Sequence, residues 1–190
     1  MSAVDDADLI VTNARITTLD DGRREATALA ARDGRFVAVK ESCADIRRST
    51  EIINRLGDRY DLFTGVDNLA FEALSVGAIG WVAGLVVAFP RETVAIYQLM
   101  KQGRREEALA IYRWFRPLLD LDVSTYLVQN IKLAEVLAIG TNDRVRMPRQ
   151  PLSGERRTMV EKIVKDAIAT RPELPKFSVA KAALVEPGAR

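Results

Sequence analysis

The stretch "RFVAVKESCADIRR", residues 35 to 48, crowds an amine, two carboxylates, a hydroxyl and a thiol together: Lys40, Glu41, Ser42, Cys43 and Asp45. An amine attacks carbonyl carbon only when it is neutral, and an exposed lysine, with a pKa near ~10.4, is almost wholly protonated at neutral pH. A lysine at the end of a buried parallel strand is placed differently, because apolar neighbours disfavour its charged form. There it can form a Schiff base with a ketone or aldehyde and act as an electron sink. The plainer alternative for Lys40 is the solvated end of a strand, since most lysines are exposed. Cys43 reads as a small semi-buried side chain and not as a nucleophile, because the chain has no histidine to activate it. The same lack removes the commonest metal ligand, so the reading is metal-free chemistry on Lys, Tyr, Ser, Cys or carboxylates.

The elements that must position Lys40 follow from the patterning. Before it, "ADLIVTNARITTLDDG" gives a short β run, a turn candidate at Asn13-Ala14, a second run near Ile16 to Leu19 and a turn at Asp20-Asp21-Gly22. "ATALAARDGRFVAV" then gives two runs around Asp33-Gly34, a hairpin signal, so the N-terminus is expected to be an antiparallel meander. From residue 40 helix and strand alternate. Asp45 to Leu56 carries Ile46, Ile52, Ile53 and Leu56 ahead of Gly57, the pattern of an amphipathic helix with its glycine stop. "YDLFTG" reads as a strand, Asn68 to Val76 as a short helix and "AIGWVAG" as a buried strand, an order that implies right-handed parallel crossovers. After Pro90 the chain is expected to be helical to Gly140. A loop at Pro148, Pro151 and Gly154 is followed by a last helix to about Ala169 and an irregular tail.

Composition narrows the function classes. The 190 residues allow one domain with a core, or one domain with a small appendage. A net charge of +2, with no long block of one sign, gives no footprint for nucleic acid. One cysteine and an acidic start, "MSAVDDADLI", point to a cytoplasmic chain without a secretory signal. Residues 73 to 90, "ALSVGAIGWVAGLVVAFP", carry no charge and reach the length of a membrane span, but three glycines and a terminal proline favour a buried strand.

Three motifs in order, "VKES" at 39 to 42, "LFTGVDN" at 62 to 68 and "GAIGWVAG" at 77 to 84, supported by "RMPRQPLS" at 146 to 153, make residues from Val39 to about Phe177 resemble the C-terminal part of the dihydrodipicolinate synthase and N-acetylneuraminate lyase family. The resemblance implies an α/β chain built as a partial (β/α)8 TIM barrel, strands six to eight, with a C-terminal helical layer. It makes Lys40 the Schiff-base lysine and puts Gly65 and Val82 beside the imine as substrate-binding positions. Taken alone, Gly65 is a strand-end glycine and Val82 a core valine. The family often has "KDSSGD" or "KESSGD" where this chain has "KESCAD", so Cys43 and Ala44 depart from the pattern. Residues 7 to 39 resemble instead the opening strands of amidohydrolases, whose metal-binding histidines are missing here. The chain is therefore expected to divide into an amidohydrolase-like β segment (1 to 39), a partial barrel with helices (40 to 177) and an irregular tail (178 to 190), a chimera joined within one strand.

The function this implies is that of a Schiff-base-forming, class I aldolase-type lyase acting on pyruvate or another 2-oxo acid, with no cofactor. The "STYLVQNIKLAE" region leans toward deaminases or dehydratases of hydroxyproline or sugar acids. A full barrel takes about 250 residues, and the family draws its carboxylate-gripping threonines and its proton-moving tyrosine from strands absent here. Tyr60, Tyr97, Tyr112 and Tyr126 do not match that tyrosine. The chain alone is expected to be nearly inactive and, with an open sheet edge, to form homo-oligomers. The alternative is a non-catalytic fusion fragment that serves as an assembly piece.

Overall fold

The computed structural model describes residues 9–20, 23–32 and 35–177, with side chains from Phe36 onward. The turn signals Asp21-Gly22 and Asp33-Gly34, and the tail from 178 to 190, lie outside these residues. Five strands form one sheet in the order of the chain: β1 (Leu9–Asp20), β2 (Arg23–Arg32), β3 (Arg35–Glu41), β4 (Asp61–Thr64) and β5 (Gly80–Trp81). β1 pairs with β2 and β2 with β3 antiparallel, while β3, β4 and β5 run parallel. Asn13 and Ala14 do not form the expected turn. They lie inside β1, between Thr12 and Ile16, where the register with β2 shifts, and such an irregularity absorbs an extra residue without ending the strand.

Two crossovers carry the parallel part. α1 (Ile46–Leu56) starts where the Asp45 carboxylate accepts a hydrogen bond from the Arg47 N–H and stops at Gly57, φ 59°, a backbone angle that suits a residue without Cβ. Its Ile46, Ile52 and Ile53 pack on Leu62, Ala73 and Ala78, the apolar face that the sequence spacing predicts. The expected helix from Asn68 to Val76 is a 3-10 turn, Asp67–Leu69, followed by α2 (Ala70–Ser75).

The run from 73 to 90 departs from both of its readings. Only Gly80–Trp81 is strand, and a 3-10 turn, Leu85–Val87, precedes α3 (Pro90–Lys101). No helix among the described residues is long and apolar enough to cross a membrane. The uncharged segment is only partly interior: Leu85 and Phe89 are fully buried, whereas Ile79, Val82 and Val87 are exposed.

The main core sits among the helices. α4 (Arg105–Leu119), α5 (Leu127–Ile139) and α6 (Gly154–Ala169) follow α3. Phe89, Ile96, Leu99, Phe115, Leu118, Leu133, Val160 and Val164 fill the space between them. Tyr112 stacks on Phe71, and Phe115 meets Phe89 edge-on. One ion pair is built into this core: Arg171, beyond α6, reaches the fully buried Glu92 of α3 through Nε and Nη2, the latter at 2.9 Å from Oε2.

Candidate functional site

The parallel ladder places the three predicted positions on one edge. Lys40 stands opposite Phe63 in the register of β3 and β4. The ladder continues past the strands, since the Gly65 N–H donates to the Glu41 carbonyl at 2.8 Å and the Val82 N–H to the Thr64 carbonyl at 2.9 Å. Lys40, Gly65 and Val82 are thus brought to neighbouring strand ends at the C-terminal edge of the parallel sheet, where open and closed α/β sheets carry their sites. Alternation turns buried Leu62 and Thr64 toward the helices and Phe63 and Gly65 to the face of Lys40.

Gly65 has a steric task that its sequence context did not disclose. A Cβ at this position would lie well inside 3.0 Å of both Lys40 Cε and Ser42 Oγ. The lysine stem and the serine hydroxyl therefore rest on a bare backbone. Ser42 Oγ is buried and has no hydrogen-bond partner among the described residues, an uncommon state for a hydroxyl inside a protein. Lys40 is partly buried, between the two environments that its sequence reading allowed. Val82, read from composition as a core valine, is 46% exposed, because the strand ends at Trp81 and the chain turns away.

Two carboxylates complete the surroundings, and the sequence reading singled out neither. Asp67 is fully buried. It accepts hydrogen bonds from Leu85 N at 2.8 Å, Trp81 Nε1 at 3.1 Å and Gly84 N at 3.2 Å. Burial raises its pKa, while these donors and the positive charge of Lys40 oppose the rise. Asp67 therefore staples the end of β4 to the segment after β5. Asp122, after α4, is partly buried, and its pKa is pushed up to about 6, by burial first and then by the negative charge of Asp67, with Lys40 pulling it back. The signal for Asp67 was present, as a charge within "LFTGVDN" beside an apolar run. The signal for Asp122 was not, because "LLDLD" reads as an ordinary helix end.

Other polar groups have structural tasks. The buried Tyr112 hydroxyl lies 2.6 Å from the Asn68 carbonyl and 2.9 Å from Glu72 Oε2, and burial together with Glu72 holds its pKa well above the usual value. It locks α4 to α2. Cys43 is exposed and not semi-buried as expected, and the next residue, Ala44, has φ 63°. Partial desolvation and Glu41 raise its thiol pKa, which keeps the thiolate scarce.

The Dihydrodipicolinate synthetase family pattern matches residues 3–167. The 4-hydroxy-tetrahydrodipicolinate synthase of Geotalea uraniireducens is 28% identical over 145 residues, which are 75% of this chain and 49% of that protein. The chain thus spans about half the length of the curated relatives it matches. The structure of the 4-hydroxy-tetrahydrodipicolinate synthase from Methylacidiphilum fumariolicum has a TM-score of 0.61 at 28% identity, over 70% of this chain and 46% of that one. A 2-keto-3-deoxygluconate aldolase variant from Sulfolobus solfataricus shares the fold, with a TM-score of 0.62 at 24% identity, over 72% of this chain and 47% of that one. This likeness supports an α/β arrangement of three parallel strands and helices, consistent with part of a TIM barrel, and lends none to the antiparallel N-terminal meander.

The match shows no separate amidohydrolase segment. It begins at residue 3, so the segment from 7 to 39, which resembled an amidohydrolase opening, falls inside it, and β3 runs unbroken through the expected junction. Short alternating strands carry little information about ancestry, because any half-buried strand asks for the same residue types. With most of its length matched, and with parallel strands and helices like those of its solved relatives, the chain belongs to the dihydrodipicolinate synthetase family.

Proposed function

We propose that Lys40 is a Schiff-base lysine and that the chain corresponds to the C-terminal part of a class I aldolase-type lyase acting on pyruvate or another 2-oxo acid. The observation that carries this reading is the packing of Lys40 Cε and Ser42 Oγ on the bare backbone of Gly65, at the C-terminal edge of parallel strands. A glycine there lets the lysine stem and the serine hydroxyl lie together at the strand end. In this reading Val82 flanks the imine from the next strand end. The buried Ser42 hydroxyl offers the donor that a keto acid oxygen requires. No cofactor is needed, since the lysine itself activates the carbonyl carbon.

Turnover by this chain alone is proposed to be slow. Positioning contributes ~7–11 kcal/mol in well-ordered sites and acid–base groups another ~10² to 10⁴ in rate, and the groups that resemblance assigns to those tasks do not map onto this chain. The proposal extends to a cytoplasmic setting and to self-association. Ile79, Val82 and Val87, 49%, 46% and 47% exposed, line the segment around β5, and contiguous apolar surface favours association. The experiment is borohydride reduction in the presence of pyruvate, followed by mass analysis of the Lys40 peptide. A reduced pyruvyl adduct on Lys40 without multiple turnover is expected. Labelling spread over surface lysines, or the same yield in Lys40→Arg, refutes the Schiff-base assignment, and rapid turnover refutes the claim that this chain alone is slow.

A further inference from the structure

Val82 stands on the face of Lys40. Lys40, Phe63 and Gly80 are partners across β3, β4 and β5, and a step of two along each strand gives the next row on that face, Ser42, Gly65 and Val82. The N–H groups of Gly65 and Val82 carry the ladder into that row. Gly65 offers no side chain and Ser42 Oγ is buried, so the side chain that this row exposes is that of Val82. A valine has little freedom at χ1. The place of its two methyls therefore follows from where its backbone is held.

One carboxylate holds that backbone on both sides. Asp67 is fully buried, a costly state for a charge unless its oxygens are engaged. Trp81 Nε1, from the residue before Val82, donates to Asp67 Oδ1 at 3.1 Å, and Leu85 N donates to Oδ2 at 2.8 Å. The Gly84 N–H is shared between the two oxygens, at 3.2 and 3.3 Å. An amide could not replace the carboxylate here, because its NH2 would face either the indole N–H or the Leu85 N–H, donor against donor. Gly84 is also closed in sterically: a Cβ there would lie well inside 3.0 Å of Asp122 Oδ1 and 3.1 Å from Ile131 Cδ1. Held by Asp67 and closed in by Asp122 and Ile131, the chain after Val82 has little room to slide.

Resting on the Schiff-base reading of Lys40, we propose that Asp67 is a positioning residue that limits the size of the 2-oxo acid Lys40 accepts. By holding Trp81, Gly84 and Leu85 it fixes the Val82 methyls as a wall beside the strand ends. A 2-oxo acid joined to Lys40 carries its carboxylate on one side of the reacting carbon and its alkyl group on the other, and an apolar wall borders the alkyl group. A wall at a fixed place discriminates by bulk, and one methylene in such a contact is worth about 10- to 200-fold. Asp67 itself meets no ligand, since it is fully buried and both its oxygens are taken.

The test is the ratio of two rates of borohydride trapping on Lys40 in the whole chain, with pyruvate and with the branched 2-oxoisovalerate. Asp67→Asn is expected to lower the ratio of pyruvate to 2-oxoisovalerate about ten-fold, and Val82→Ala to lower it similarly. The double variant is expected to fall no further than Val82→Ala, because a wall without its methyls gains nothing from being held. A merely structural role would lower both rates together. An unchanged ratio in either single variant therefore overturns the proposal, as does a double variant in which the two effects multiply. Should Asp67→Asn not fold, Trp81→Phe, which removes one donor and keeps the carboxylate, is expected to lower the ratio in the same direction, and an unchanged ratio overturns the proposal. Failure of the Schiff-base reading looks different: neither 2-oxo acid labels Lys40 in the natural chain. Amide hydrogen exchange, which needs no ligand, then decides the hold on the backbone. Gly84 and Leu85 are expected to exchange about ten-fold faster in Asp67→Asn or Trp81→Phe while the α4 amides keep their rates, and unchanged exchange at both overturns the proposal.

Discussion

Substitution of Gly65 by alanine separates a steric role in catalysis from a general role in folding. The added methyl would lie well inside 3.0 Å of Lys40 Cε and Ser42 Oγ, while ordinary contact begins at 3.4 Å. The lysine stem must therefore withdraw by about 1 Å or more, a displacement that can cost ~10² in the rate of a positioned reaction. Both obstructing groups are side-chain atoms, and Gly65 is not among the glycines with positive φ. The fold can yield there, and over-packing should cost only about 1 kcal/mol. The assay pairs the rate of reductive trapping on Lys40 with the urea midpoint. Trapping slowed by about 100-fold with a midpoint lowered by about 0.5 M is the expected pattern. Gly65→Ala that traps at the natural rate would refute the claim that this backbone position makes room for the reacting amine. Gly65→Ala that fails to fold would show the position to be structural first.

Further substitutions test the framework and its charges. Arg171→Ala should leave the carboxylate of fully buried Glu92 without its cation. With the Arg171 side chain 37% exposed and water able to enter, the cost should be about 2–3 kcal/mol, toward the low end for a broken buried pair, read as a urea midpoint lowered by about 1 M; a loss under about 0.5 kcal/mol would place the pair with exposed ones. Ala44→Gly should stabilise the chain by about 0.5–1 kcal/mol, because Ala44 sits at φ 63° and relief of its Cβ strain exceeds the added freedom of the unfolded chain; a lower urea midpoint would contradict this. Asp122 has a folded pKa of about 6, above its ordinary 3.8, so between those values the native state holds more protons than the unfolded one and stability falls as pH rises. Asp122→Asn, which cannot ionise, should be more stable than the natural chain by about 1 kcal/mol at pH 7, after allowance for water access, and gain nothing near pH 3.5; an equal gain at both pH values would remove the electrostatic explanation.

Much of the frame was legible because its signals are local. The spacing of Ile46, Ile52 and Ile53 before Gly57 marks α1, and the same logic marks α3 to α6, where each turn repeats the choice of apolar or polar face. The stretch from 73 to 90 was less legible. Its lack of charge fits a membrane span, a buried strand or, as found, a two-residue strand followed by a 3-10 turn, since burial selects against charge whatever the backbone does. Asn13-Ala14 was misread because turn-forming residues also suit an irregularity within a strand. The exposure of Cys43 and the positive φ of Ala44 are features of loop geometry that residue types alone do not mark.

The sequence by itself narrowed the candidate reactive groups to Lys, Tyr, Ser, Cys and carboxylates, since histidine is absent, and put Lys40 at the end of an apolar run that a parallel strand can use. It also determined where glycine breaks the chain. The tertiary structure alone decided what those glycines are for. Gly65 leaves space for the lysine stem, and Gly84 leaves space for Asp122. It alone brought Asp122 against a glycine 38 positions earlier in the chain. The physical reason is range: helix and strand preferences are settled among near neighbours, whereas steric clearance and charge coupling depend on distances in space that no local pattern encodes.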